Sequence, residues 1–314
     1  MSQHRPKSEK VQTESVQDRF SKVSVENFAS PSEPGMKFTD FLDRLPRILA
    51  AQDFQAVVAR IADAAQLKKE VIVGMGAHVI KVGLNPVLIS WMDKGIITGL
   101  AMNGAGVVHD VETALWGKTS EDVGPALDQG MFGVAQETAE IINGSVKEGV
   151  NRDLGFGQAV AEKLMAQSPP YSDYSLLCQA FKRGIPVTIH VALGTDIVHM
   201  HDSADGAAIG KASLKDFHLF TSKVACLEGG VYLNMGSAVV LPEVFLKALN
   251  LARNRGHTVN VFTTVNMDFI RQYRSTVNVV ERPVRLGGQG YQLIGHHELN
   301  FPLLAAAVLE SLAK

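Results

Sequence analysis

Cysteine is nearly absent, with only Cys178 and Cys226 in 314 residues. Two thiols cannot build a disulfide framework or a four-cysteine zinc site, and both stand in apolar, helix-like stretches, so small buried hydrophobes are expected rather than reactive thiols. No apolar run is long enough for a membrane span, so no membrane is expected as a partner. An excess of either charge is missing as well. Thirty Lys and Arg face 32 Asp and Glu, a net −2, with no long basic run. Without clustered cations to displace counterions from phosphate, no nucleic acid is expected as a partner. Residues 1–36 contain neither Leu nor Ile and carry Pro6, Pro31 and Pro34 among many charges. Such a stretch buries too little apolar surface to offset its ordering entropy, so a polar tail is expected over 1–36. Only Val16, Phe20 and Val23 have helical spacing there, a face suited to docking on a neighbouring subunit. The start MSQHRPKSEK also lacks the apolar segment of a secretory signal, and the expected location is cytoplasmic.

What the chain does have is 46% hydrophobic residues, 20% charged residues and 28 glycines, a globular composition. From Phe38 onward, Phe41, Leu42, Leu45, Ile48 and Leu49, then Val57, Ile61 and Ala65, repeat at helical spacing around Pro46. EVIVGMGAHVI then reads as a strand meeting glycines, followed by a helix over Pro86 to Lys94. GIITGLAMNGAGVVHDVETAL repeats the pattern, as do the segments around PVTIH, GGVYLNMGS and TVNVFTTVN, with helices between them. The alternation predicts one α/β domain over 37–314, a doubly wound, mostly parallel Rossmann-like sheet with helices on both faces.

In such a sheet the ligand crevice lies beyond the carboxyl ends of the strands. Three glycine turns mark those ends: Gly74-Met75-Gly76, Asn103-Gly104-Ala105-Gly106 and Asn234-Met235-Gly236-Ser237. The second opens a helix, whose N–H groups and dipole suit an anion such as a dinucleotide pyrophosphate, although the spacing is not G-x-G-x-x-G.

The block from Val71 to Leu115, RGIPVTIHVALGTDIVHMH at 183–201, KDFHLFTSKVACLEGGVYLNMGSAVVLPEVFLKA at 215–248 and HELNFPLLAAAVLESL at 297–312 resemble, in order and spacing, the deoxyhypusine synthase family. The resemblance covers nearly all of the globular part. It implies an NAD site at Ala77 and His78, at Asn103, Gly104, Ala105 and Gly106, at Thr263 and Thr264 ending a strand, and at Gly295 and His296. It also implies a homotetramer with active sites at subunit interfaces, and it places Asp196 near the substrate.

The chain departs from that family where the chemistry would lie. Aminobutyl transfer needs an unprotonated lysine nucleophile and carboxylates to hold a polycation. The segment VNMDFIRQYRSTVNVVERPVRL has no Lys, and Arg271, Arg274, Arg282 and Arg285 outnumber Asp268 and Glu281. His109 stands where an acidic residue is expected. The family's Trp-Gly-Lys occurs instead as Trp116-Gly117-Lys118, where Lys118 reads as a solvated helix-end cation. These departures argue against aminobutyl transfer.

The expected function is therefore an NAD-binding transferase or oxidoreductase acting on an amine or other small molecule. Asp196, His199, His201 and Glu243 are its candidate catalytic groups, His199 and His201 as proton carriers. Two other readings stand beside it: a non-catalytic nucleotide-binding protein, and a metal-dependent enzyme in which His199 and His201 converge with His296 and His297. No Ser-His-Asp order or G-x-S-x-G elbow supports a hydrolase.

Overall fold

The computed structural model describes residues 10–313; Pro6 and the rest of 1–9, with Lys314, lie outside the described residues. The chain divides between Gln52 and Asp53 into two compact units. In the first, the Ser24 hydroxyl caps a 3₁₀ turn over Val25–Asn27. A short helix, α1 (Phe38–Asp43), follows. Backbone bonds from Ser30 N to Arg44 O and from Arg47 N to Asn27 O, each 3.0 Å, hold this unit together. The spacing of Val16, Phe20 and Val23 does not produce a helix. Asp18 and Arg19 turn back onto Ser15 O, and all three apolar side chains are exposed.

The second unit is built on six strands: β1 (Val71–Met75), β2 (Gly99–Asn103), β3 (Val187–His190), β4 (Val231–Met235), β5 (Thr263–Asp268) and β6 (Gln289–Ile294). The sheet runs in the order β3-β2-β1-β4-β5-β6, and every pair is parallel. Parallel sheets are covered on both faces, which is why the first five strands are buried almost throughout. Alternate residues feed two cores. Val71, Val73 and Met75 point into one, and Ile72 points into the other with Tyr232 and Phe245. Tyr232 stacks on Phe245 with centroids 3.8 Å apart.

The helices are α2 (Leu49–Gln66), α3 (His78–Lys81), α4 (Asn85–Asp93), α5 (Gly104–Trp116), α6 (Val123–Asp128), α7 (Gln136–Asn151), α8 (Phe156–Ala166), α9 (Leu176–Lys182), α10 (Gly206–Ala225), α11 (Val240–Asn254), α12 (Tyr273–Ser275), which continues as a π-helical turn over Thr276–Glu281, and α13 (His297–Leu312). Leu241, Phe245, Ala248, Leu249 and Ala252 form the buried stripe of α11, a 3.6-residue repeat.

Two expectations about elements need correction. The strand expected at TVNVFTTVN begins only at Thr263, because Asn260 and Val261 give their N–H groups to the Glu228 carboxylate (2.6 and 3.1 Å) instead of to a neighbouring strand. Cys226 is exposed at the end of α10, while Cys178 is buried as expected. Among the described residues, no helix is long and apolar enough to cross a membrane.

Candidate functional site

The winding reverses between β1 and β4, so the crevice of this sheet opens where Met75 and Met235 end paired strands. The two turns there touch. A Cβ on Gly76 would lie 2.5 Å from the Gly236 carbonyl oxygen, and Gly236, at φ +65°, leaves room for the His297 imidazole. Both glycines are required by close packing. Among the described residues, the backbone N–H groups of Ala77, Ser237 and Ala238 donate to nothing. Two buried polar atoms near these turns also lack partners: Asn234 Oδ1 on β4, and Nδ1 of His297, whose ring lies against Gly236. His78 and His297 stand 6.2 Å apart between ring centroids, and burial lowers the pKa of His297. Buried Asp268 ends β5, and Gly295 and exposed His296 follow β6.

The Asn103–Gly106 turn differs from its expected role as an open phosphate cradle. Asn103 Oδ1 accepts from its own Gly106 N–H at 3.1 Å, and the Asp196 carboxylate accepts from Ala105 N–H. Gly104 must be glycine because a Cβ there would fall 2.0 Å from Asp196 Oδ2. The chain's own carboxylate thus occupies the positive end of α5. Burial raises the pKa of Asp196, against the charge of His199 and the Ala105 hydrogen bond. His199 is locked beside it. Its Nδ1 accepts from the N–H groups of Gly194 and Asp196, both at 3.2 Å, and its Nε2 lies 3.9 Å from Asp196 Oδ2, both atoms buried and otherwise unpartnered. His201 points elsewhere, donating from Nε2 to Gly133 O at 3.1 Å.

Beside this turn lies a cavity of about 330 Å³, lined by Lys81, Ala105, His109, Glu112, Glu121 and Asp196 among others. A second opening of about 410 Å³ shares Glu112 and Glu121 with it and includes Lys118. His109, Glu112 and Lys81 were not among the sequence candidates. Their helix positions look like ordinary amphipathic surface, and only the fold of 117–135 over them makes a cavity wall.

Two other sequence candidates lie away from the crevice, and a third has its carboxylate tied up by neighbouring side chains. Thr263 and Thr264 open β5 rather than ending it, so they stand at the amino-terminal edge of the sheet, opposite the crevice. The reason is that β5 runs on to Asp268. Glu243 sits in the first turn of α11 with its carboxylate engaged by Lys247, Arg274 (3.2 Å) and Asn278 Nδ2 (2.9 Å), which lowers its pKa. The four arginines at 271–285 are exposed. The two histidine clusters do not converge. His199 and His201 follow β3 and His296 and His297 follow β6, the opposite edge strands, about 24 Å apart at the usual strand spacing. Among the described residues, no group of three His, Cys, Asp or Glu is placed to hold a metal ion.

No model of a known protein family matches the sequence, and no curated protein matches it. Solved structures do share the fold. The ternary complex of AgrE with ornithine and NAD+ matches at a TM-score of 0.54 and 16% identity over 86% of this chain and 35% of that one. ArgZ, an arginine dihydrolase from cyanobacteria, matches at 0.51 and 13% over 82% and 31%. A candidate deoxyhypusine synthase from Entamoeba histolytica matches at 0.51 and 10% identity over 88% and 94%. The chain spans about a third of the AgrE and ArgZ chains. Identities this low establish a shared α/β Rossmann-like architecture, not a family.

Proposed function

We propose that the chain binds a nicotinamide dinucleotide across the carboxyl ends of β1 and β4 and acts as an enzyme on a small molecule held in the cavity beside Lys81. The observation that carries this reading is the pair of abutting glycine turns at the switch point, with undonated N–H groups at Ala77, Ser237 and Ala238. That donor set suits a pyrophosphate, and NAD+ is bound in AgrE, a chain of the same architecture. Bound there, a nicotinamide would supply reversible hydride acceptance. Ala77, His78 and Ser237 would hold the phosphates, and Gly295 and His296 would border the far end. Asn103 to Gly106 would wall the cavity rather than grip phosphate, and Asp196, paired with His199, would hold the floor between the two compartments. A deoxyhypusine synthase-like relationship and its homotetramer belong to the same proposal. A mass near four times 33.9 kDa by light scattering is the outcome expected.

Calorimetric titration with NAD+ tests the reading. Binding in the micromolar range is expected, and Ala77→Asp, which sets a carboxylate against the phosphates, should weaken it about tenfold, or about 1.4 kcal/mol. No binding by the unaltered chain would remove the proposal.

A further inference from the structure

The cavity wall contains a three-residue relay that fixes which histidine nitrogen bears a proton. The Thr119 hydroxyl hydrogen-bonds to Glu112 Oε2, a carboxylate oxygen that only accepts, so Thr119 is the donor there. Its single proton is thereby used. At the 2.7 Å contact with His109 Nδ1, Thr119 must accept, and Nδ1 must carry the ring proton. Nε2 keeps its lone pair, and nothing among the described residues donates to it. A second hydrogen bond, from Thr138 to Glu112 Oε1 at 3.2 Å, steadies the far end of the relay.

Charges of both signs line the same cavity as this ring. Lys81 comes from α3, Glu112 from the ring's own helix, Glu121 from the loop before α6, and Asp196 from the loop after β3. One cation beside several carboxylates complements a zwitterion better than a simple anion or cation.

We propose that His109 Nε2 is the proton acceptor for an amino-acid substrate whose carboxylate pairs with Lys81. This rests on reading the cavity as the substrate compartment. In the step, one N–H bond of the α-ammonium breaks and its electron pair stays on nitrogen. The proton forms the Nε2–H bond, and Glu112, through Thr119, offsets the imidazolium charge. The product is a neutral amine with a free lone pair. Burial, then the Lys81 charge, hold the ring at a pKa of about 4. A carboxylate on Lys81 offsets the second, smaller cause, so the bound substrate raises the ring's pKa in part while burial still holds it below its ordinary value.

Nitrogen-15 histidine NMR on the full chain provides the test, with His109→Asn used to assign the signal and thermal unfolding used to confirm that variants fold. The free protein should show the Nδ1–H tautomer. Saturating glycine, alanine, lysine or ornithine, tried in turn, should include at least one that raises the His109 midpoint by about one pH unit. Lys81→Met should raise the midpoint without ligand and abolish the further rise. Thr119→Val should populate the Nε2–H tautomer. An Nε2–H tautomer in the unaltered chain, or a midpoint that no amino acid moves, would overturn the inference. NAD+ calorimetry on the same samples separates the two readings: cofactor binding with an unmoved His109 sinks this inference alone. A moved His109 without cofactor binding sinks only the dinucleotide site.

Discussion

Asp110 and Asp216 are buried carboxylates with the same task and opposite tolerances. Asp110 accepts from Ser175 Oγ and Leu177 N on one oxygen and from Leu176 N and Asn85 Nδ2 on the other, pinning the start of α9 to α5. Burial pushes its pKa up to about 6 against those four bonds. An amide would aim hydrogens at donors, so Asp110→Asn should cost about 2–3 kcal/mol in denaturant unfolding. Asp216 gathers the N–H groups of Gly157 (2.9 Å) and Ile189 (2.8 Å) on Oδ2 alone, while Oδ1 is buried without a partner. Burial raises its pKa to about 7, and Oδ1 is the natural seat of that proton. Between about pH 4 and pH 7 the folded state then binds a proton that the unfolded chain, with a carboxyl pKa of about 3.9, does not. The contribution of Asp216 to stability is therefore present at low pH and is lost as pH rises toward 7. Asp216→Asn mimics the protonated form. In melts from pH 5 to 9, the unaltered chain should lose stability relative to this variant as pH rises to about 7 and then stay at a constant offset from it; a gain would contradict the assignment. A thiol reagent makes a simpler check, expected to label Cys226 in the native chain and both cysteines after unfolding.

Among the elements, β4, β5 and β6 are tied together by more than backbone. Asn234, Asn266 and Gln292 are paired in register, and their amides form a ladder: Asn234 Nδ2 to Asn266 Oδ1 at 2.7 Å, Asn266 Nδ2 to Gln292 Oε1 at 3.1 Å, and Gln292 Nε2 to Thr276 Oγ1 at 2.8 Å on the π-helical turn. Asn234 also donates to Ser237 O at 2.9 Å, so the ladder ends on the crevice turn. Asn266→Leu should cost about 2 kcal/mol in unfolding and should also weaken NAD+ binding, a second readout that simple destabilisation would leave unmoved. Little of this was legible in the sequence. The buried runs of β1 and β4 announce themselves as apolar, β-branched stretches between glycines. The strand β6 does not, because QGYQLI lies at the sheet edge, half exposed, with polar residues that only their neighbours explain. Helices α7 and α8 likewise follow from packing, α8 against β3 and α7 against α5, α8 and α10, rather than from a strand-turn-helix signature.

For the whole molecule, ligand linkage is the expectation that joins fold to function. If NAD+ seats at the switch point of the folded sheet alone, a hundredfold excess over its dissociation constant adds about 2.7 kcal/mol of stability, visible as a raised unfolding midpoint. A midpoint unmoved at millimolar NAD+ would count against the crevice. The sequence by itself determined the parallel α/β sheet, because strands buried on both faces must be apolar and their turns must be glycine-rich. It also determined where the crevice turns lie along the chain. Only the tertiary structure decided what fills them. Asp196 reaches over Gly104 from the loop after β3 to take the α5 terminus, Thr263 falls at the wrong end of its strand, and the two histidine clusters follow opposite edge strands. Those outcomes depend on strand order and strand limits, which bring together residues as far apart in sequence as Gly76 and Gly236, and no local pattern of residues records that distance.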